Sequence, residues 1–118
     1  MAVISGSNSS GAWINFNGTG TIATRDSYNI SSISDEGSGK YQINFDSSMS
    51  NNDYAVAANA SHTDEDNSNP CFAEIYNADT TQETGRIRVK VGFGIHAHTN
   101  NFGFGDRSHV WVIIMGDR

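Results

Sequence analysis

Cysteine and proline are almost absent from this sequence, and long apolar runs are missing altogether. Among its 118 residues there is one cysteine, Cys71, and one proline, Pro70. A single cysteine cannot form an intramolecular disulfide, so cysteine content does not distinguish an oxidising from a reducing compartment. No apolar run approaches the roughly 20 residues of a transmembrane helix, and the first residues lack the basic and apolar regions of a secretory signal. We therefore expect a soluble chain.

Positive charge is also scarce. Seven Lys and Arg residues stand against 13 Asp and Glu residues, which gives a formal net charge of −6. An acidic chain offers little neutralisation to phosphates or anionic lipids, so nucleic acid binding and membrane insertion are not expected. Apolar residues make up 36% of the chain. A core of that modest size favours completion in an oligomer.

Helical periodicity is missing, whereas short alternating runs recur along the chain. The clearest are residues 40–45 and 86–95, where apolar and polar side chains alternate with the period that turns one face inward. The first of these follows a turn-forming sequence, so residues 28–45 are predicted to form a β-hairpin. Residues 109–115 are apolar on both faces, which is typical of a central strand or one covered by a partner.

About eight short strands separated by turn signals predict an all-β fold, an antiparallel β-sandwich. Residues 1–11 are interpreted as a flexible lead-in and residues 12–118 as one sandwich domain. The glycine-rich stretch 100–108 is predicted to be a loop, and residues 20–25 a strand.

Several segments carry a family resemblance. They are a tryptophan-led strand ending in Asn15–Gly20, the stretch Arg25–Ile33, the turn Asp35–Gly39, the strand end Asn44–Phe45, and the segments Tyr54–Val56 and Val112–Asp117. Together they resemble the C-terminal β-rich domain of bacteriophage tail-fibre and related virion structural proteins. The resemblance is strongest over residues 12–60 and the last strand, and residues 62–108 match no pattern of that family.

The resemblance implies a homotrimeric tip domain of a tail fibre. Such a domain belongs to the virion, is extracellular when mature, and joins other virion tail proteins. Its function would be to contact a host surface polysaccharide, with receptor specificity in residues 62–108. Three weak sites on one tip would raise avidity without new contacts. The alternatives are a structural trimerisation cap or a virion-decorating protein that touches no receptor.

Catalytic signatures are weak, so the chain is not expected to be an enzyme. No nucleophile-elbow or metal-hydrolase motif is present. A carbohydrate-active enzyme would need two carboxylates across a cleft. Any sequence with 13 acidic residues contains candidate pairs, so their presence is not evidence for an enzyme.

Sugar sites on β scaffolds combine aromatic faces with polar side chains on loops. Phe102 and Phe104 alternate with glycines, which predicts exposure, although they would serve equally to anchor a loop to the core or to a neighbouring chain. The predicted ligand-binding residues are Phe102, Phe104, Arg107, Asp64, Asp66 and Tyr76. The basic stripe formed by Arg86, Arg88 and Lys90 is expected to pair with carboxylates across the sheet or across a subunit interface, with anionic polysaccharide as a second interpretation.

A metal site is a further hypothesis, and no other cofactor is predicted. His96 and His98 would share one face of a strand, and three such pairs would meet on a trimer axis. This arrangement resembles the His-x-His pairs that bind iron in some phage fibres. The ordinary interpretation is two exposed histidines at a strand end. The acidic segment around Asp64 and Asp66 lacks the spacing of an EF-hand and is expected to be a solvated loop.

Overall fold

The computed structural model describes residues 11–61, 71–93 and 103–118. The described elements are β1 (Ala12–Asn17), β2 (Ala23–Tyr28), β3 (Ile30–Gly37), β4 (Lys40–Phe45), β5 (Ala55–Ser61), β6 (Cys71–Ile75), α1 (Ala78–Thr81), β7 (Arg86–Phe93), β8 (Gly103–Phe104) and β9 (His109–Met115). In these three ranges no helix is long and apolar enough to cross a membrane. The predicted lead-in, residues 1–11, lies outside the described residues except for Gly11.

The strands form two antiparallel sheets. The first sheet has the order β2-β1-β9-β5, and the second has the order β3-β4-β7-β6 with β8 paired to the end of β7. The chain passes from the first sheet to the second between β2 and β3, and again between β5 and β6. The predicted all-β antiparallel fold is confirmed, and the arrangement is sandwich-like. The described strands number nine because Gly103 and Phe104, predicted to lie in a loop, pair with Phe93 and Gly92.

The core lies between the sheets and is built from alternate residues of the central strands β1, β4, β7 and β9. The largest fully buried side chains are Tyr41, Phe16, Ile14, Ile43, Ile87, Ile114, Val89, Val91, Val110 and Val112. Phe16 packs edge-on against Tyr41, with 5.1 Å between ring centroids. Because these side chains alternate with outward-facing ones, each strand of the second sheet presents a separate set of residues on its outer face.

The hairpin predicted over residues 28–45 is confirmed as the β3–β4 pair. The strand predicted at 20–25 lies instead at 23–28. A local turn explains the shift, because the backbone N–H and the hydroxyl of Thr19 both donate to Asn17 Oδ1, at 2.9 and 2.6 Å. The chain still bends at residues 19–21 after this turn, so the strand begins only at Ala23.

Strand β9 is central in the first sheet, as its apolar sequence predicts. It lies between β1 and β5, and its alternate residues Val110, Val112 and Ile114 are fully buried. The intervening side chains of Ile113 and Met115 are 51% and 46% exposed. Within the described residues, the outer face of this sheet therefore presents apolar surface to solvent.

Candidate functional site

The outer face of the second sheet carries three aromatic rings around two lysines. This set, called the platform below, comprises Lys40, Phe72, Tyr76, Lys90 and Phe104. It draws on β4, β6, β7 and β8, and on the residue that follows β6. These residues face outward because their strand neighbours face inward: Tyr41, Val89 and Val91 are fully buried in the core.

Lys90 is the centre of the platform. Its Nζ lies 4.9 Å from the centroid of the Phe104 ring and 5.5 Å from that of Tyr76. The same atom lies 3.2 Å from Glu74 Oε1, and the Lys90 side chain is only 23% exposed. A cation near two ring faces is attracted by both ring quadrupoles. The ammonium group is therefore positioned by contacts on several sides.

Lys40 brings a second positive charge to the same place. The strand register sets Lys40 directly opposite Lys90, and its Nζ lies 5.2 Å from the centroid of the Tyr76 ring. Among the described residues, Lys40 forms no ion pair. Like charges directly opposite each other disfavour strand pairing, so this pair does not help to hold the sheet together.

Gly92 makes room for two of the rings. It is paired with Phe72 on one side and Phe104 on the other. A Cβ atom at Gly92 would lie 2.8 Å from Phe72 Cζ and 2.4 Å from the carbonyl oxygen of Gly103. The missing side chain lets the Phe72 ring lie over the strand and lets β8 approach it. Phe104 is still 41% exposed, so an aromatic surface faces solvent beside the lysines.

A ladder of polar side chains continues from the platform across the sheet. Arg88 Nε donates to Gln42 Oε1 at 3.0 Å, and Gln42 Nε2 donates to Asn44 Oδ1 at 2.9 Å. Asn44 Nδ2 then donates to the Ser32 hydroxyl at 3.0 Å. These groups use one another as partners, so the ladder stabilises the outer face and borders the platform.

The basic stripe on β7 pairs with carboxylates, across the sheet for Arg88 and Lys90, as predicted, but three residues away along the chain for Arg86. Arg86 Nε lies 2.7 Å from Glu83 Oε2, and Arg88 Nε lies 4.0 Å from Glu36 Oε1. The two hydrogen bonds from Arg86 hold the pKa of the Glu83 carboxyl below its ordinary value. Each arginine thus has its own carboxylate, whereas Lys40 and Lys90 have only Glu74 between them among the described residues.

Arg107 lies inside the fold. It is 8% exposed, and its guanidinium carbon lies 4.9 Å from the centroid of the Phe93 ring. Its Nε donates to Cys71 Sγ at 3.2 Å, and Nη1 donates to the carbonyl of Asp106 at 2.8 Å. Arg107, predicted to bind ligand, therefore packs the start of β6 against the end of β7.

Asp106 connects the segments that carry Lys40 and Phe104. Its Oδ1 accepts a hydrogen bond from the backbone N–H of Gly39 at 2.9 Å and lies 2.6 Å from the Tyr41 hydroxyl. Burial and the Asp106 carboxylate raise the pKa of Tyr41 above its ordinary value, so this hydroxyl remains a donor. The turn before β4 and the segment after β8 are thereby joined, which fixes two sides of the platform.

The structure brings together two of the predicted ligand-binding residues, Tyr76 and Phe104, on opposite sides of Lys90. Five further residues that were predicted to bind ligand or metal lie outside the described ranges: Phe102, Asp64, Asp66, His96 and His98. In the part of the chain that is described, no three His, Cys, Asp or Glu side chains cluster as metal ligands would. Sequence reasoning missed Lys40 and Phe72, because no local signal shows which residues lie opposite Lys90 and Gly92.

A second concavity, of about 450 Å³, is lined by Asn52, Asp53, Tyr54, Asp79 and Gln82. Gln82 Nε2 donates to the carbonyls of Asn52 and Tyr54 at 2.9 and 2.7 Å. This amide holds the loop before β5 against α1, which gives the concavity a structural explanation.

No protein-family model, no curated protein and no solved structure matches the chain.

Proposed function

We propose that this chain is the tip domain of a bacteriophage tail fibre, which binds a host surface polysaccharide as a homotrimer. The sequence resemblance supports the fibre assignment. The observation that supports saccharide binding is the platform, where the exposed Phe104 ring and the Tyr76 ring flank the ammonium group of Lys90.

A saccharide needs two kinds of surface at once. One face of a sugar ring is lined by C–H groups and suits an aromatic ring, while its hydroxyl edge needs hydrogen-bonding groups. The platform offers both, because each lysine ammonium carries three donors and lies within about 5.5 Å of an aromatic ring centroid. An exposed aromatic side chain in such surroundings is a more informative sign of binding than a buried one.

The platform lies on an open sheet face, so each site should bind weakly. Deep pockets bury most of a ligand, and a sheet face buries far less of it. Several sites on one particle compensate by raising the effective concentration of the second and third contacts. Weak sites in multiple copies suit reversible attachment to a repeating polymer.

Removing either ring should weaken polysaccharide binding. We expect Phe104→Ala and Tyr76→Ala each to reduce affinity about tenfold, since loss of a contacting aromatic ring costs on the order of 1.4 kcal/mol. An array of bacterial capsular and O-chain polysaccharides, probed with the purified protein, measures this. Thermal unfolding of each variant checks that the fold persists.

Conservative variants make this test specific. Phe104→Tyr and Tyr76→Phe keep the ring and should retain binding, whereas Phe104→Leu keeps an apolar side chain without a ring and should not. If the alanine variants bound polysaccharide as well as the wild type does, the platform would not be the binding site.

A purely structural role is the second candidate, and the outer face of the first sheet favours it. Ile113 and Met115 are 51% and 46% exposed there, and Ile113 is paired with Trp13. Contiguous exposed apolar surface is typical of an interaction site. A cap that trimerises through this face would align a fibre without touching a receptor.

The mass in solution tests the apolar face. Light scattering should give a mass near three chains for the wild type and near one chain for Ile113→Glu, because a buried carboxylate disfavours an apolar interface. Phe104→Glu places the same charge on the other sheet and should leave the mass unchanged. A wild-type mass of one chain would contradict the trimer in both candidate functions.

A further inference from the structure

We propose that the saccharide bound at the platform is acidic and carries a carboxylate on its sugar ring. This inference rests on the proposed function and narrows its ligand class. Its starting point is the charge of the platform, which holds two ammonium groups, and among the described residues only that of Lys90 forms an ion pair, with Glu74. On the same strand, Arg86 and Arg88 each have a carboxylate of their own.

This excess of positive charge is unusual for the chain around it. Acidic residues outnumber basic ones by 13 to seven, yet Lys40 forms no ion pair among the described residues. The register also places Lys40 directly against Lys90, an arrangement that costs about 0.2–1 kcal/mol of sheet stability. Locally unfavourable arrangements of this kind are expected at functional sites, where function outweighs stability.

Glu74 differs from Lys90 in its freedom to move. The Glu74 side chain is 53% exposed, while that of Lys90 is 23% exposed and lies near two rings. An arriving carboxylate can displace Glu74 at little cost, since an exposed ion pair contributes no more than about 1 kcal/mol. The exchange preserves an ion pair for Lys90 and gives one to Lys40, which forms none with the residues that the structure describes.

The net charge of the chain does not prevent this binding. A charge of −6 repels an acidic polymer at long range, but that repulsion is screened over about 8 Å at physiological ionic strength. The two ammonium groups act at contact distance, where screening is weakest. The ring of a uronic acid would lie against Phe104 or Tyr76 while its carboxylate reaches the lysines.

Two variants with opposite expected effects test the inference. Lys40→Gln should weaken binding to acidic polysaccharides about fivefold, and Glu74→Gln should strengthen it by a factor of about two to five, the range of a single exposed ion pair. Glu83→Gln is the matched control. It also frees a basic residue of β7 and changes the net charge equally, but it lies outside the platform.

The probe is an array of bacterial surface polysaccharides in which each acidic polymer is printed both intact and after chemical reduction of its carboxyl groups. Sulfated and neutral polymers are printed beside them. We expect binding to the intact carboxylated polymers and at least about a tenfold loss after reduction. The Lys40→Gln protein should melt at the same temperature as the wild type or higher, because a like-charge pair is removed.

The outcomes separate the inference from the function on which it rests. Equal binding before and after carboxyl reduction, or equal effects of Glu74→Gln and Glu83→Gln, would overturn the acidic ligand. Binding confined to neutral or sulfated polymers would overturn it too, and would leave the polysaccharide-binding function standing. Failure to bind any polymer on the array would overturn both.

Discussion

Replacing Gly39 with alanine should destabilise the protein by about 3 kcal/mol or more, the upper end of the cost of overpacking. A Cβ atom at this position would lie 2.3 Å from the carbonyl oxygen of Val91 and 2.6 Å from the backbone nitrogen of Gly105. Both atoms belong to the backbone, which cannot rotate away as a side chain can. The φ angle of Gly39 is also +68°, in the left-handed region.

Gly37 provides the matched comparison, because it belongs to the same turn and has a φ angle of +125°. A Cβ atom there would meet nothing within 4 Å. Gly37→Ala should therefore show only the conformational cost, about 1–3 kcal/mol. Urea unfolding of both variants measures the difference, and equal losses would mean that crowding at Gly39 is relieved elsewhere in the fold.

Replacing Asp106 with alanine should cost about 2–3 kcal/mol, because a buried donor loses its acceptor and a buried hydroxyl loses its charged one. The backbone N–H of Gly39 loses its acceptor, whereas the fully buried hydroxyl of Tyr41 keeps only the carbonyl of Gly18, at 3.0 Å. The exposed Asp46 supplies a control with the same change of charge, and Asp46→Ala should alter stability by less than about 0.5 kcal/mol. Denaturant unfolding at neutral pH measures both.

A double-mutant cycle isolates the hydrogen bond itself. Tyr41→Phe combined with Asp106→Ala should show a coupling of about 1.5–3 kcal/mol, the usual contribution of a hydrogen bond to a charged group. Strict additivity of the two substitutions would mean that the 2.6 Å contact makes no net contribution. Because Asp106 joins the segments that carry Lys40 and Phe104, its loss should also weaken polysaccharide binding beyond what stability explains.

Much of the fold is predictable because strand alternation is a local property. Residues 40–45 and 109–115 form strands with the predicted bounds, since the apolar face and the turn residues that define them are contiguous in sequence. The strand at 23–28 moved from its predicted position because Asn17 closes a turn with Thr19. β8 was not predicted because a strand of two residues is too short to show alternation. It pairs with Gly92 and Phe93, the part of β7 that continues past the end of its pairing with β4 at Lys40.

The platform is less predictable because register is not local. Phe104 was recognisable because it alternates with glycines, and Tyr76 because it is an aromatic residue at a strand end, but nothing near either residue indicates that both flank Lys90. Lys40 lies opposite a lysine fifty positions later in the chain, a pairing set by how the buried faces of β4 and β7 pack. For Arg107, the glycine-rich sequence around it predicts an exposed loop residue, but in the structure its side chain is buried against Phe93 and Cys71.

The two outer faces of the molecule impose a geometry on any assembly. The apolar surface around Ile113 and the platform around Lys90 belong to opposite sheets, so copies that join through the first sheet direct their platforms away from the shared axis. In the proposed trimer, the three platforms would point in diverging directions and could not all touch one flat surface, although avidity requires simultaneous contact. A hydrated polymer layer thick enough to surround the domain would let all three platforms bind at once, so the proposed fibre tip would suit a deep capsule better than a thin, smooth cell wall.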